Sequence, residues 1–275
     1  PPLSEEQAAR WKLRAEKLKA LAVMVREKFP GMKLQFGNTG DSCAIVAELL
    51  RQGFPTQYVD YVAVEDLGQT FIPERPLPGA MQSAWLLRET ARVLGCPTAR
   101  ITACYEWIGR SHRPLGLGAQ AAWYARDGLQ ARAYGFHTIK LGTIHDAGQG
   151  YFHTIWGACG LTYRYPYLYP KPAYAALATL TLLLDQARFS KVLDTGTHAL
   201  YGLEFERPEG GWVYAVWTPR GKREVRLVFS AEGKIRVVTF LGREQPQVRL
   251  AQVDLEAGES PFYLISEKRL EKVEA

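Results

Sequence analysis

The chain has 275 residues, 47% hydrophobic and 12% aromatic, which is enough apolar surface for one large or two ordinary domains. A net charge of +6, with the bases scattered except for Arg220, Lys222, Arg223 and Arg226, reads as solvated strand faces and not as a nucleic-acid groove. No apolar run approaches the roughly 20 residues of a membrane helix, and Cys43, Cys96, Cys104 and Cys159 form neither a CxxC pair nor a disulfide framework; a membrane, a metal and a cofactor are all left out of the expectation.

Ser4 is placed to cap a first helix, with Glu5 and Glu6 in its first turn and Gln7 closing a capping box. Trp11, Ala15, Leu18, Ala22, Val25 and Phe29 recur at steps of four and three, which is one helical stripe, and Pro30-Gly31 ends it. A short strand is expected over 32–36, then the turn-rich loop Gly37-Asn38-Thr39-Gly40-Asp41. A second helix follows over 45–52, stopped by Gly53, and a buried strand over 59–64 ends in Glu65-Asp66. After a loop with Pro73, Pro76 and Pro78, a third helix is expected over 81–94. The next strand runs Ala99-Arg100-Ile101-Thr102-Ala103-Cys104-Tyr105-Glu106 and leads into Trp107-Ile108-Gly109. A helix over 119–134, with Gly135 as its C-cap, precedes a strand over 138–144 and a loop containing Tyr151 and Trp156. A helix of mostly Ala and Leu over 172–184, of a buried type, closes this part.

Alternation of helix and strand is the mark of βα units on a parallel sheet, here with four strands where a closed barrel needs eight. From about residue 189 the texture changes to short β-rich runs at 200–205, 212–218, 224–229, 234–240, 247–250 and 261–265. Turn formers separate them, among them Ala231-Glu232-Gly233, and the spacing reads as an antiparallel sandwich. In 212–217 both alternating sets are apolar, so both faces of that strand have partners to bury against. The division expected is therefore 1–186 and 187–275. The linker near 186–191 is short and has no spacer composition, so the sandwich should pack on the preceding helices.

The strand ending in Glu106 delivers one carboxylate between Tyr105 and Trp107, at the strand end where barrels of parallel strands present catalytic groups. Three places together resemble the C-terminal half of a clan A glycoside hydrolase of the β-xylosidase kind. Tyr105-Glu106-Trp107-Ile108-Gly109 is similar to strand seven of that family, Trp156-Gly157 to its segment after strand eight, and Tyr169-Pro170-Lys171-Pro172-Ala173-Tyr174 to the start of its last barrel helix. The end Ser260-Pro261-Phe262-Tyr263-Leu264 is similar to the close of its C-terminal β domain. The resemblance implies an α/β plus all-β fold: residues 1–186 as strands 5–8 of a TIM (β/α)8 barrel, then an antiparallel β-sandwich over 187–275. It implies a carbohydrate substrate, Glu106 as the nucleophile and Trp156 as the floor of the sugar subsite.

Retaining hydrolysis needs a second carboxylate about 5 Å away across the sugar, as acid and base. In the family it is the Glu of an Asn-Glu pair at the end of strand four, and no Asn-Glu pair occurs in this sequence. The chain starts Pro1-Pro2 without an initiator Met, so the expectation is that a preceding segment or a separate chain supplies the N-terminal barrel half. Glu65-Asp66 stand where the family is expected to show His or another polar group, and Thr102 lies four residues before Glu106 where the family's Thr is adjacent.

Tyr105, Trp107, Tyr151 and Trp156 suit the apolar faces of a sugar, while Asn38, Glu65 and Asp146 can take its hydroxyls. Asn38 is equally a turn former and Asp146 equally a cap. His137, His145, Asp146 and His153 lack the i, i+4 spacing of a helical metal set. The alternative reading is a non-catalytic carbohydrate-binding or scaffolding protein derived from such a barrel.

Overall fold

The computed structural model describes residues 3–36, 42–65, 74, 100–106, 116–133, 135–136, 138–146, 157–245 and 248–275, with the backbone alone at 42, 43, 63–65, 100–106, 139, 140 and 248. The helix expected over 81–94 and the loop at 37–41 lie outside them. The chain divides into two compact units.

The first unit carries helix α1 (Glu5–Lys28), α2 (Ser42–Arg51) and the strands β1 (Gln35–Phe36), β2 (Tyr61–Glu65), β3 (Arg100–Glu106) and β4 (Thr138–Leu141). The capping box forms as read: the Gln7 amide N–H donates to Ser4 Oγ at 3.2 Å, and the Ser4 N–H donates to Gln7 Oε1 at 2.9 Å. Along α1 only Ala15 and Ala22 of the apolar stripe are buried, with Trp11, Leu18 and Val25 half-buried and Phe29 exposed. Asp60 ties the unit together at the start of β2. It accepts from Arg26 of α1 and, at 2.8 Å, from the backbone N–H of Leu34 just before β1. All pairings in the sheet are parallel and its order is β1-β2-β3-β4, the chain order. Such neighbour-to-neighbour parallel pairing requires a crossover behind each strand, which is the βα alternation read in the sequence.

The second unit carries α3 (Leu117–Ala133), α4 (Pro172–Leu183) and the strands β5 (Arg188–Val192), β6 (Tyr201–Glu206), β7 (Trp212–Trp217), β8 (Arg223–Thr239), β9 (Val248–Ala257), β10 (Phe262–Ser266) and β11 (Leu270–Glu274). Seven strands pair antiparallel in the order β11-β8-β10-β7-β6-β5, with β9 on β8. Two departures from the sequence reading stand out. The runs expected at 224–229 and 234–240 are one strand, β8, because Ala231-Glu232-Gly233 is passed as an irregularity in the register with β9 and not as a hairpin turn. And α4 is buried on one face only: Ala173, Ala176, Leu180 and Leu184 are inside while Leu182 is 78% exposed.

The two apolar sets of β7 separate as their alternation requires. Tyr214 and Val216 enter the core between the sheet layers with Val225, Leu227, Ile235, Val253 and Leu264. Val213, Ala215 and Trp217 face the other way, into a core with Phe205 and Tyr263 that takes in Leu129 of α3 and Leu180 of α4. The sandwich thus packs directly on these helices.

A buried ion pair fastens that second core. Glu74 and Arg126 of α3 have side chains 2% and 0% exposed. Glu74 Oε1 accepts from Arg126 Nε at 2.7 Å and from the Trp217 indole N–H at 2.7 Å, and Arg126 Nη1 donates to the Glu259 carbonyl at 3.3 Å. A buried charge is tolerated only when so paired and hydrogen-bonded.

Candidate active site

The C-terminal ends of β2 and β3 carry the two strand-end carboxylates. Glu65 is the last residue of β2 and Glu106 the last of β3, with Tyr105 just before it. Their backbone relation follows from the register. Glu65 pairs with Cys104, so it stands two positions short of Glu106 along β3. At about 3.3 Å per residue and about 4.8 Å between strands, the two backbone positions are roughly 8 Å apart. Against β4 the register slips: Ala103 pairs with Ile139 and Glu106 with Leu141, so three steps in β3 face two in β4. This is a β-bulge near the end of β3. Asn38, Trp107, Tyr151 and Trp156 lie outside the described residues, as do Asp66, His137 and His153.

Asp146 belongs to the second unit and is buried. It lies in a cluster that stitches two segments together. Its Oδ1 accepts from Lys171 Nζ and, at 3.0 Å, from the Gly160 backbone N–H. Lys171 also donates to the Ala158 carbonyl at 3.1 Å, and its ammonium lies 5.7 Å from the centre of the Tyr163 ring. Helix α3 holds the same loop from below, through Gln120 Nε2 to Ala158 O at 2.8 Å and the Tyr124 hydroxyl to Cys159 O at 2.6 Å. Gly160 has no alternative here: a Cβ would stand 2.2 Å from the Asp146 nitrogen. Asp146 is therefore committed to an ion pair and a backbone N–H, which gives the Lys of the motif at 171 a structural task that its sequence position did not reveal.

Two of the basic residues near 220–226 are matched to acids across the strands: Lys222 to Glu256 at 2.6 Å, and Arg226 to Asp254 at 2.8 Å. The hydrogen bond to Arg226 holds the Asp254 carboxyl below the usual carboxylate range. Cys159 is buried. Among the described residues no three acidic, His or Cys side chains gather as a metal site, and no helix is long and apolar enough to cross a membrane.

No family model and no curated protein matches this chain. Solved structures do. A family 39 glycoside hydrolase from Bacteroides cellulosilyticus WH2 is 18% identical with a TM-score of 0.64, over 96% of this chain and 63% of that one. A glucosidase from Croceicoccus marinus is 13% identical with a TM-score of 0.60, over 94% and 64%. A GH30 endoxylanase from Clostridium papyrosolvens C71 is 6% identical with a TM-score of 0.60, over 86% and 56%. The chain spans less than two thirds of the length of each of these structures. A four-stranded parallel sheet followed by a seven-stranded antiparallel sheet, matched over 86–96% of this chain, is the fold shared with those glycoside hydrolase structures.

Proposed function

We propose that this chain is the C-terminal part of a retaining glycoside hydrolase, with residues 1–186 forming strands 5–8 of a (β/α)8 barrel and residues 187–275 its sandwich domain. The observation that carries the reading is the position of Glu106, the final residue of the third of four parallel strands in chain order, in a fold shared with glycoside hydrolases. β1 to β4 of this chain are then strands five to eight, and Glu106 ends strand seven. In this role ionised Glu106 attacks the anomeric carbon, and a covalent glycosyl-enzyme forms as the leaving oxygen is protonated. Tyr105, Trp107, Tyr151 and Trp156 stack on the sugar faces, while Asn38 and Glu65 bind hydroxyls. Asp146 acts by holding the loop with Lys171.

The acid/base carboxylate comes in this reading from an N-terminal barrel half, on the same precursor or a separate chain. Glu65 is a poor substitute, because attack and protonation from neighbouring strands would approach from nearly the same side. Support for such a partner comes from the first unit. An open groove of about 430 Å³ runs between α1, the segment of β1 and α2, lined by Leu18, Leu21, Val25, Phe36, Ile45 and Leu49. Leu13 and Met24 of α1 are exposed besides.

The test is Glu106→Gln in the complete assembly, assayed on aryl glycosides. Loss of at least about 10³-fold in kcat with an unchanged melting curve is expected for a missing nucleophile. Activity within a few-fold of the parent removes Glu106 from that role.

A further inference from the structure

The segment that follows Asp146 and leads into α4 contains a surface feature that the catalytic reading leaves unused. Between residues 161 and 171 the chain folds back on itself: the Tyr163 N–H donates to the Tyr169 carbonyl at 2.9 Å, and the Lys171 N–H to the Leu161 carbonyl at 2.8 Å. The turn is closed by the N–H groups of Tyr167 and Leu168, both donating to the Arg164 carbonyl. Its base is clamped by the buried Asp146–Lys171 pair.

On this hairpin the aromatic residues point out. Tyr165, Tyr167 and Tyr169 are 78%, 69% and 66% exposed, with Tyr163 and Tyr174 also exposed beside them. The rings of Tyr167 and Tyr169 lie within 20° of parallel, with centroids 6.4 Å apart. Between them Leu168 is held at φ +49°, in the left-handed region that branched side chains avoid. Strain of this kind persists where surrounding structure imposes it and clusters at ligand clamps. Exposed aromatic surface of this extent on a rigid support marks an interaction site.

We propose that the tyrosine hairpin at residues 163–169 is a glycan-binding platform that holds a polysaccharide chain by ring stacking. The composition selects this ligand. Every exposed ring is a tyrosine, which offers a flat apolar face to the C–H face of a sugar and a hydroxyl at its edge for the ring's own hydroxyls. Two nearly parallel rings suit a repeating polymer better than a single small sugar. Tyrosine also serves protein interfaces, and the gel-filtration arm of the test below separates that occupant from a glycan. The choice of a sugar ligand rests on the glycosidase reading; the binding itself does not need Glu106.

The test is affinity electrophoresis of the purified chain carrying Glu106→Gln, so that no polymer is cut, in native gels with soluble arabinoxylan, mixed-linkage β-glucan or arabinan. Retardation by at least one polymer is expected. Tyr167→Ala/Tyr169→Ala should weaken it by about tenfold or more, Tyr167→Ser alone by several-fold, and Tyr167→Phe/Tyr169→Phe by less than about threefold, because stacking survives loss of the hydroxyl. Melting curves identify any variant that misfolds, and the single Ser variant then decides. No retardation by any of the three polymers overturns the proposal, as does retardation unchanged in the Ala pair. A dimer on gel filtration that the Ala pair abolishes, without a polymer effect, overturns it in favour of self-association. Near-parental activity of Glu106→Gln in the complete assembly, with retardation intact, by contrast, touches only the catalytic reading.

Discussion

The two β structures of this chain are finished to different degrees. In the antiparallel sandwich, β7 and β10 are buried along nearly their whole length, one face against the opposing sheet layer and the other against α3 and α4. In the parallel sheet, β1 has two residues and pairs only with β2 among the described strands, and α1 alongside leaves Leu13, Leu21 and Met24 in solvent. One unit holds its own cores; the other, among its described residues, leaves apolar side chains in solvent. The strand-end carboxylates belong to the unfinished one. On the proposed function, stability and chemistry are carried by different parts of the chain, and substitutions should divide in the same way.

The largest effect expected is on activity. The isolated chain should turn over no aryl glycoside, and adding a polypeptide with strands one to four and an Asn-Glu pair should restore turnover. Hydrolysis by the isolated chain that Glu65→Gln removes would break the comparison, because the parallel sheet would then be complete for catalysis. Next in size is the buried pair of the finished unit. Glu74→Ala strands the Arg126 guanidinium and should cost about 3–5 kcal/mol, a fall in melting temperature on the order of 10 °C. The combined change Glu74→Ala/Arg126→Met should recover much of it. A loss under about 1 kcal/mol for the single change would show that the pair contributes little to the sandwich unit.

A smaller effect sharpens the comparison from the other side. Leu21→Ser, on the open groove of α1, should alter the stability of the isolated chain by less than about 0.5 kcal/mol. The same change should weaken assembly with the N-terminal half, read by co-elution on gel filtration. The smallest effect concerns acid. Asp254, Glu244 and Glu274 are held below the usual carboxylate range, chiefly by hydrogen bonds from Arg226, Arg236 and Lys272. Because the folded value is the lower one, their contribution is complete above the ordinary carboxylate range and is lost as pH falls through it. All three carboxylates reach solvent, so a thermal melt taken below about pH 4 should show a modest fall that added salt diminishes and Arg226→Gln reduces.

The local parts of this fold were legible in the sequence because they are set by near neighbours. Ser4 and Gln7 specify one end of α1 within a single turn, and the alternation at 212–217 states that both faces of β7 are covered. Gly135, at φ +83°, ends α3 where a left-handed C-cap was read. What escaped was decided at long range. Asp146 and Lys171 meet across 25 positions, and Glu74 reaches Trp217 across 143; no periodicity encodes such a pair. The edge strands β5 and β11 escaped for another reason. With sequences RFSKV and LEKVE they carry too few apolar residues to be told from loop, as suits strands that face water at a sheet margin. Gly233 misled in the usual way of a glycine inside a strand, marking an irregularity that looks like a turn. For the candidate site, the place of Glu106 at a strand end was legible; the bulge behind it was not, since the slip depends on how β3 meets β4.

β8 has a consequence for how the sandwich comes apart. This 17-residue strand bonds β9 on both sides of its irregularity, β11 through its first half and β10 through its second. Neither sheet layer can lose its β8 half without loosening the backbone that the other layer depends on. The sandwich should therefore open in one cooperative step, with amide protons of β10 and β11 exchanging at similar free energies although they sit at opposite ends of the same strand. The three partners of β8 all follow it in the chain, the last ending at Glu274, so its pairing can be completed only after β11 has been synthesised.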